Sequence, residues 1–395
     1  MEKKNTMFIF LLFIISPFFA TIGYTLWIWN SKTETSQKIW AQAVLLSLYV
    51  AILGSTKVLD GDFLEYQDYF YNVPKTAFMD FVLSFGKDPL YYAFTYVSYY
   101  LFLGNWNLFV ISFTFINYIL LSYAIIQIAQ KVNANIKITI MALYFMAFFF
   151  QELAASGNLV RQCLAQSITV VFLVCLHINK KNKWWIALCA LCTHISCLPI
   201  LGIGIIPTIR KRPSFKNITK VLIVLLILVC AFYAVGNKLS NIPYLQYIYE
   251  RASNSEQLAG QDSWQINVGL TTAMKVLLLL LSFMAIMIYH SKKKQDIDKV
   301  ISMVNLNVIL IIFLAIINTI GAYYLLMRYF FFVYAFQNTL VIIYLNKSRL
   351  MNNELMKVSF IVIMMLYFFY NYTHNIYSYT SIGEAIFSPL PMLIF

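Results

Sequence analysis

The chain has 395 residues, of which 61% are hydrophobic, 17% aromatic and only 11% charged, with a formal net charge of +13. A soluble globular protein carries about 25% charged residues, so this chain lacks the polar surface to face water on all sides. Most of its Lys and Arg sit in short loops between apolar runs; this is the signature of membrane topology, and no nucleic-acid partner is expected.

In chain order, the candidate spans are 7–29, 39–57, 107–129, 136–155, 161–178, 184–206, 218–236, 269–290, 300–320, 323–345 and 357–373. Each is about long enough to cross a ~30 Å hydrocarbon core. The first lacks a small-x-small cleavage site and more spans follow, so it is not read as a signal peptide. Residues 90–103 are apolar but short, which suits a partial or interfacial helix. The stretches 58–89 and 237–268 are the long polar loops, and no soluble domain stands out. The expectation is an all-α integral membrane protein with about 11–12 hydrophobic helical segments, residues 1–395 forming one polytopic domain.

Orientation follows from the basic loops. Asn179–Lys183, Arg210–Lys216, Ser291–Lys299 and Asn346–Lys357 belong in the cytoplasm. The acidic loop 58–89 and the loop 237–268 then lie outside. Lys3 and Lys4 fall outside against the rule. The loops at 179–183 and 210–216 want the same side although one span separates them. Pro199, Gly202, Gly204 and Pro207 resolve this by predicting a broken or re-entrant segment, tolerated where protein or a watery cavity surrounds it. The C-terminus then ends outside.

Ionisable side chains within spans cost several kcal/mol unless paired or hydrated, so each is a candidate functional group. They are Glu152, Arg161, His194, Lys275 and Arg328. On this topology all but His194 fall in the outer half, and His194 lies near the turn of the broken segment. Cations at the outer face call for an anion, and a lipid-borne pyrophosphate suits guanidinium groups, which grip phosphate oxygens bidentately. Snorkelling to the headgroups is the plainer account of Arg161, Arg328 and Lys275.

Asp60-Gly-Asp62 looks like a short metal-binding Asp-x-Asp, yet a solvated acidic face also explains it. Asp88-Pro89 reads as a helix start, with Asp as cap and Pro in the first turn. His194 with Ser196 suits a base or a donor to a sugar hydroxyl, and equally a membrane histidine satisfied by a neighbour. Tyr66, Tyr69, Tyr71, Tyr91 and Tyr92 fit an interfacial aromatic belt or a surface for sugar rings. The cysteines all lie in apolar segments as buried thiols, and Cys189, Cys192, His194 and Cys197 are spread too widely to converge on zinc. No metal and no cofactor are expected.

An ordered set of segments adds a resemblance. Asp60-Gly-Asp62-Phe63…Tyr66 follows the second span, and Asp88-Pro89-Leu90-Tyr91 precedes an apolar helix. Asn158-Leu159-Val160-Arg161-Gln162-Cys163-Leu164-Ala165, Thr193-His194-Ile195-Ser196 and Arg328-Tyr329 complete the order. With these the chain resembles the EpsG family of polysaccharide-synthesis membrane proteins, which is similar to the Wzy-type O-antigen and capsule polymerases. It departs in having Asp62-Phe63 for Asp-Tyr, and Lys57 or nothing for an Arg before that motif.

The resemblance implies a C-type glycosyltransferase-like membrane fold in the bacterial inner membrane, with the active face outward. It implies polymerisation of oligosaccharide repeat units carried on undecaprenyl pyrophosphate. The partners implied are the lipid-pyrophosphate-linked oligosaccharide, membrane lipid, a chain-length regulator and a flippase. Arg161 and Arg328, with Lys275, would hold the pyrophosphate, and the general base would be His194, Asp62, Asp68 or Glu152. Gln162, Asn158 and Ser196 would position sugars, with Tyr66, Asp88 and Tyr329 also binding substrate. Rival readings are a transporter of lipid-linked sugars, a ligase-like transferase and a non-catalytic assembly partner.

Overall fold

The computed structural model describes residues 2–31, 36–206, 300–319, 323–374 and 379–394, with isolated positions 223 and 227. Their long elements are α-helices, as the near-continuous apolar sequence requires, because backbone groups in lipid must be satisfied within the segment. They are α1 (Glu2–Ile15), α2 (Pro17–Trp29), α3 (Ser36–Ser55), α4 (Gly61–Asn72), α5 (Phe78–Ser84) and α6 (Pro89–Leu101). Next come α7 (Trp106–Lys131), α8 (Ile136–Ala147), α9 (Phe150–Asn158), α10 (Val160–His177), α11 (Trp184–Thr193) and α12 (Leu198–Ile205). The last are α13 (Ile301–Thr319), α14 (Tyr323–Lys347), α15 (Glu354–His374), α16 (Ile382–Phe387) and α17 (Leu390–Ile394).

Among the described residues five helices are long and apolar enough to cross a membrane: α3, α7, α10, α15 and the Arg328–Lys347 part of α14. The pair α8 and α9, bent by 44° at Phe148 and Phe149, has the length and composition of a sixth, broken span or of a re-entrant loop. The chain is therefore an all-α, multi-pass membrane protein. Helix α7 packs against α3, α10 and α14, and α14 packs on α8. Polar side chains inside this bundle bond across helices rather than to lipid: Thr25 to Tyr144 at 2.6 Å, Ser47 to Ser122 at 3.4 Å, and Gln337 to Asn307 at 2.8 Å.

Some expected spans are reshaped. Residues 7–29 form two helices instead of one crossing. Ser16-Pro17 breaks them, with the Ser16 hydroxyl accepting the Phe19 amide and Pro17 opening α2. Leu12 then lies only 3.8 Å from where a Gly23 Cβ would stand, so α1 folds back toward α2. Residues 90–103 form α6, which at 13 residues is about 20 Å long and too short to cross. Its Val97, Tyr100, Leu101 and the following Leu103 are exposed apolar groups, as an interfacial helix needs. The expected spans 218–236 and 269–290 and the loop 237–268 lie outside the described residues, as do the basic loops Arg210–Lys216 and Ser291–Lys299.

The broken segment at 184–206 is present and turns back on itself. Helix α11 ends at His194, whose backbone is extended, and a 3₁₀ turn over Ile195–Cys197 leads into α12. At its start, Trp184 packs on Phe172 near the C-terminal end of α10. At its finish, His177 Nε2–H donates to the Gly204 carbonyl at 2.8 Å, again at that end of α10. Both arms thus meet the same end of α10, and His194 stands at the tip. The described basic loops, 179–183 and 346–357, gather at that end too. Lys137 pairs with Glu354 at 2.9 Å, Asn346 donates to the Val132 carbonyl at 3.0 Å, and Asn179 donates to Gln127 at 2.9 Å.

Gly204 is required by this return. A Cβ there would sit 2.2 Å from Leu173 Cδ2, whereas one at Gly202 would meet nothing within 4 Å. Gly204→Leu should therefore lower stability in detergent by about 1–3 kcal/mol, the usual cost of overpacking. Gly202→Leu should leave the thermal melt unchanged, and equal melts for the two variants would count against the re-entrant packing.

Candidate active site

The site is assembled at the opposite end of the bundle, where α4 to α6 fold over the start of α10. Helix α4 buries Phe63, Tyr66 and Phe70, residues spaced three and four apart and so on one face. Phe70 stacks on Phe109 at 4.8 Å, Phe63 meets Trp106 at 5.3 Å, and Tyr66 meets Tyr91 edge-on at 5.9 Å. Phe85 stacks on Tyr92 at 3.9 Å. This aromatic layer is a satellite core that clamps α4 and α6 onto α7 and Val160.

Asp88 precedes α6 in the left-handed region, at φ 54° and ψ 45°, with Pro89 as the first helical residue. The helix start expected from Asp88-Pro89 is there, but the capping role is not, since the Asp88 side chain makes no cap hydrogen bond. It reaches instead to Arg161, whose Nη1 donates to Asp88 Oδ2 at 2.8 Å. Nη1 also donates to the Tyr92 hydroxyl at 3.2 Å. The guanidinium lies 5.6 Å from the Tyr66 ring centre and 5.9 Å from that of Tyr92. The Arg161 side chain is only 15% exposed and that of Asp88 3%, so this is a desolvated ion pair. Burial raises the Asp88 carboxyl above its ordinary value, and the Arg161 charge opposes that shift. Burial also raises the Tyr66 phenol, again against Arg161. Arg161 Nε is buried with no partner among the described residues.

Further groups converge here. Gln162 Nε2 donates to the Arg328 carbonyl at 2.6 Å, tying α10 to α14 beside Arg161. The Arg328 charge acts on Tyr66, Asp88 and His194, and that of Lys87 on Asp88 and His194. The tip of the re-entrant segment therefore faces the arginines. His194 Nδ1 accepts the Ser196 amide at 3.1 Å. An acceptor at Nδ1 leaves the proton of a neutral ring on Nε2, so His194 is arranged to donate. The Ser196 hydroxyl is buried, with no partner among the described residues. Asp62, exposed in the first turn of α4, acts on Tyr66 and so borders the cluster.

Other sequence candidates stand apart. Glu152 is buried in α9, where Oε1 accepts from Asn117 Nδ2 and Gln166 Nε2, both at 3.2 Å. Asp68 is exposed on α4. Asn158 donates within its own helix to the Ala154 carbonyl at 2.7 Å. Tyr329 is buried edge-on against Phe313 at 5.3 Å. Lys275 lies outside the described residues. Cys189 and Cys192 are on α11, while Cys197 is buried beyond the break and its thiol donates to the His194 carbonyl at 3.0 Å. From sequence Tyr92 reads only as part of an aromatic belt or sugar-ring surface, and Lys87 does not read as a site residue. Tyr92 was legible, because it follows Asp88 by four residues and so shares its helix face.

A multi-pass helical membrane protein with a buried arginine, carboxylate and phenol cluster fed by a re-entrant segment is the class these observations define. The EpsG family profile matches residues 38–381, nearly the whole length, and the chain belongs to the EpsG family. No curated protein and no solved structure matches it.

The ion pair has a measurable signature. Asp88→Asn leaves Arg161 buried without its charge partner and should cost about 3–5 kcal/mol of stability. The double change Asp88→Asn with Arg161→Met should recover most of that loss in a detergent melt. A double variant as unstable as the sum of the single ones would show that the two residues do not act as a pair.

Proposed function

We propose that this protein polymerises oligosaccharide repeat units carried on undecaprenyl pyrophosphate, at the outer face of the bacterial inner membrane. The observation that carries the reading is the desolvated Arg161 guanidinium, held by Asp88 and Tyr92, with no partner for its Nε among the described residues. Such a group, joined by Arg328, is suited to a diphosphate leaving group at membrane depth. Placing this end outside follows from the basic loops at the other end. The chain-length regulator and flippase that serve such a reaction are its natural partners.

In the reaction, the anomeric carbon–oxygen bond of the lipid-linked donor glycan breaks, and the diphosphate leaves with the electron pair. Arg161 and Arg328 take up the growing negative charge, which preorganised cations in a water-poor site commonly stabilise by several kcal/mol. Tyr92 accepts from Arg161, so its own proton is left to donate to a phosphate oxygen. His194 Nε2–H is a second donor. The acceptor hydroxyl, on a lipid-linked repeat unit, forms the new bond and gives up its proton to a carboxylate. Asp88 fits that role, because a diphosphate drawing Arg161 away removes the charge that opposes its protonation. Metal is not needed in this scheme, the two guanidinium groups supplying the charge.

The re-entrant segment and the bent α8–α9 pair also favour a second reading, transport of lipid-linked sugars, since transporters build sites from discontinuous helices. Deletion separates the two. Polymerase loss collapses the surface ladder to single-repeat glycolipid outside, whereas transporter loss traps units on the cytoplasmic leaflet.

Arg161→Ala should reduce chain extension at least about 100-fold, matching several kcal/mol of lost stabilisation, with membrane insertion unchanged on immunoblots. Arg161→Lys keeps charge without the fork and should stay well below wild type. A normal polysaccharide ladder from Arg161→Ala would refute the assignment.

A further inference from the structure

A second recess lies on the other flank of α4. It is a cavity of about 660 Å³ lined by residues 55–59 after α3, Gln67 and Tyr71 of α4, and residues 104–107 at the start of α7. Tyr66 points to Arg161, while Gln67 and Tyr71 are turned about 100° and about 140° from it around the same helix. Helix α4 therefore presents one flank to the arginine cluster and another to this groove.

The groove has a definite chemistry. Its charged lining residue is Lys57, whose ammonium is bonded to Asp60 and covered by the Phe63 ring at 4.6 Å. Its other polar groups are amides and hydroxyls. Asn105 uses its carbonyl oxygen to accept the Leu108 amide at 3.0 Å, which leaves its NH₂ directed elsewhere. Gln67 is half-buried, and Tyr71 is 46% exposed beside the exposed Val58 and Leu59. The floor is fixed: Asn107 donates to the Ile394 carbonyl at 2.9 Å, and Trp106 is locked into the aromatic layer. Uncharged amides beside aromatic and aliphatic surface match a ligand with hydroxyl edges and C–H faces. Among the described lining residues the one cation, Lys57, is already engaged by Asp60.

We infer that this groove is a glycan subsite, holding uncharged sugar rings of the chain whose lipid diphosphate is gripped across α4 by Arg161. The inference rests on the polymerase reading and extends it to where the saccharide runs. A volume near 660 Å³ falls in the range of pockets that enclose drug-sized ligands, enough for a short run of sugars. The rival occupant is a lipid acyl chain, drawn by Val58 and Leu59.

The test uses the purified full-length protein in detergent and oligosaccharides released by mild acid from the source strain's own polysaccharide, which carry no lipid and no diphosphate. Saturation-transfer NMR should detect binding to wild type. Tyr71→Ala and Gln67→Ala should weaken it at least tenfold, and so should Asn105→Asp, which keeps the cap oxygen but removes the NH₂ donor. Arg161→Gln should bind these oligosaccharides as wild type does. The inference is overturned if wild type does not bind them, if the groove variants bind undiminished, or if only an added phospholipid occupies the groove. Failure of the polymerase reading looks different: Arg161→Ala would then make normal polymer whatever the groove variants bind.

Discussion

The structure at this end of the bundle depends on the contact between Arg161 and Asp88. A guanidinium at the start of an apolar helix must either reach water or find an anion. Here it finds Asp88, from a loop more than seventy residues earlier, and it ends 15% exposed against 3% for its partner. That demand explains the left-handed turn at Asp88, where the side chain forgoes its own helix cap. It also explains why α4 and α6 lie over α10. The aromatic layer supplies the packing energy for that arrangement, while the ion pair fixes its register.

The same contact changes how the cations at this end are to be understood. Sequence counts Arg161 as an uncompensated charge awaiting a ligand, whereas the fold provides a resident carboxylate. In the proposed reaction a phosphate ligand would compete with or join Asp88. Drawing Arg161 away would then leave a buried carboxylate ready to take a proton.

Much of the architecture was legible because lipid enforces simple rules. Apolar length gave α3, α7, α10 and α15, and the conflict between two basic loops located the re-entrant turn. The Ser16-Pro17 break and the kink at Phe148 and Phe149 were less visible, since each sits within an unbroken apolar run that reads as one span. Site residues were legible by cost but not by role. Glu152 and Arg161 look alike in sequence as expensive charges, yet Glu152 is buried among Asn117 and Gln166 amides, where it joins α9 to α7 and α10. Gln162 likewise serves the Arg328 backbone. His194 keeps its place, but the Ser196 amide on Nδ1 turns it from base to donor. Such distinctions depend on which neighbours arrive from distant helices, and spacing along one chain does not encode them.

The most direct test is ligand stabilisation of the purified protein by a polyprenyl diphosphate in detergent. Wild type should melt higher with the diphosphate than with the matching alcohol, and Arg161→Gln should lose that difference while keeping any shift caused by the hydrocarbon tail. A diphosphate-specific shift that survives in Arg161→Gln would place the anion elsewhere and contradict the account.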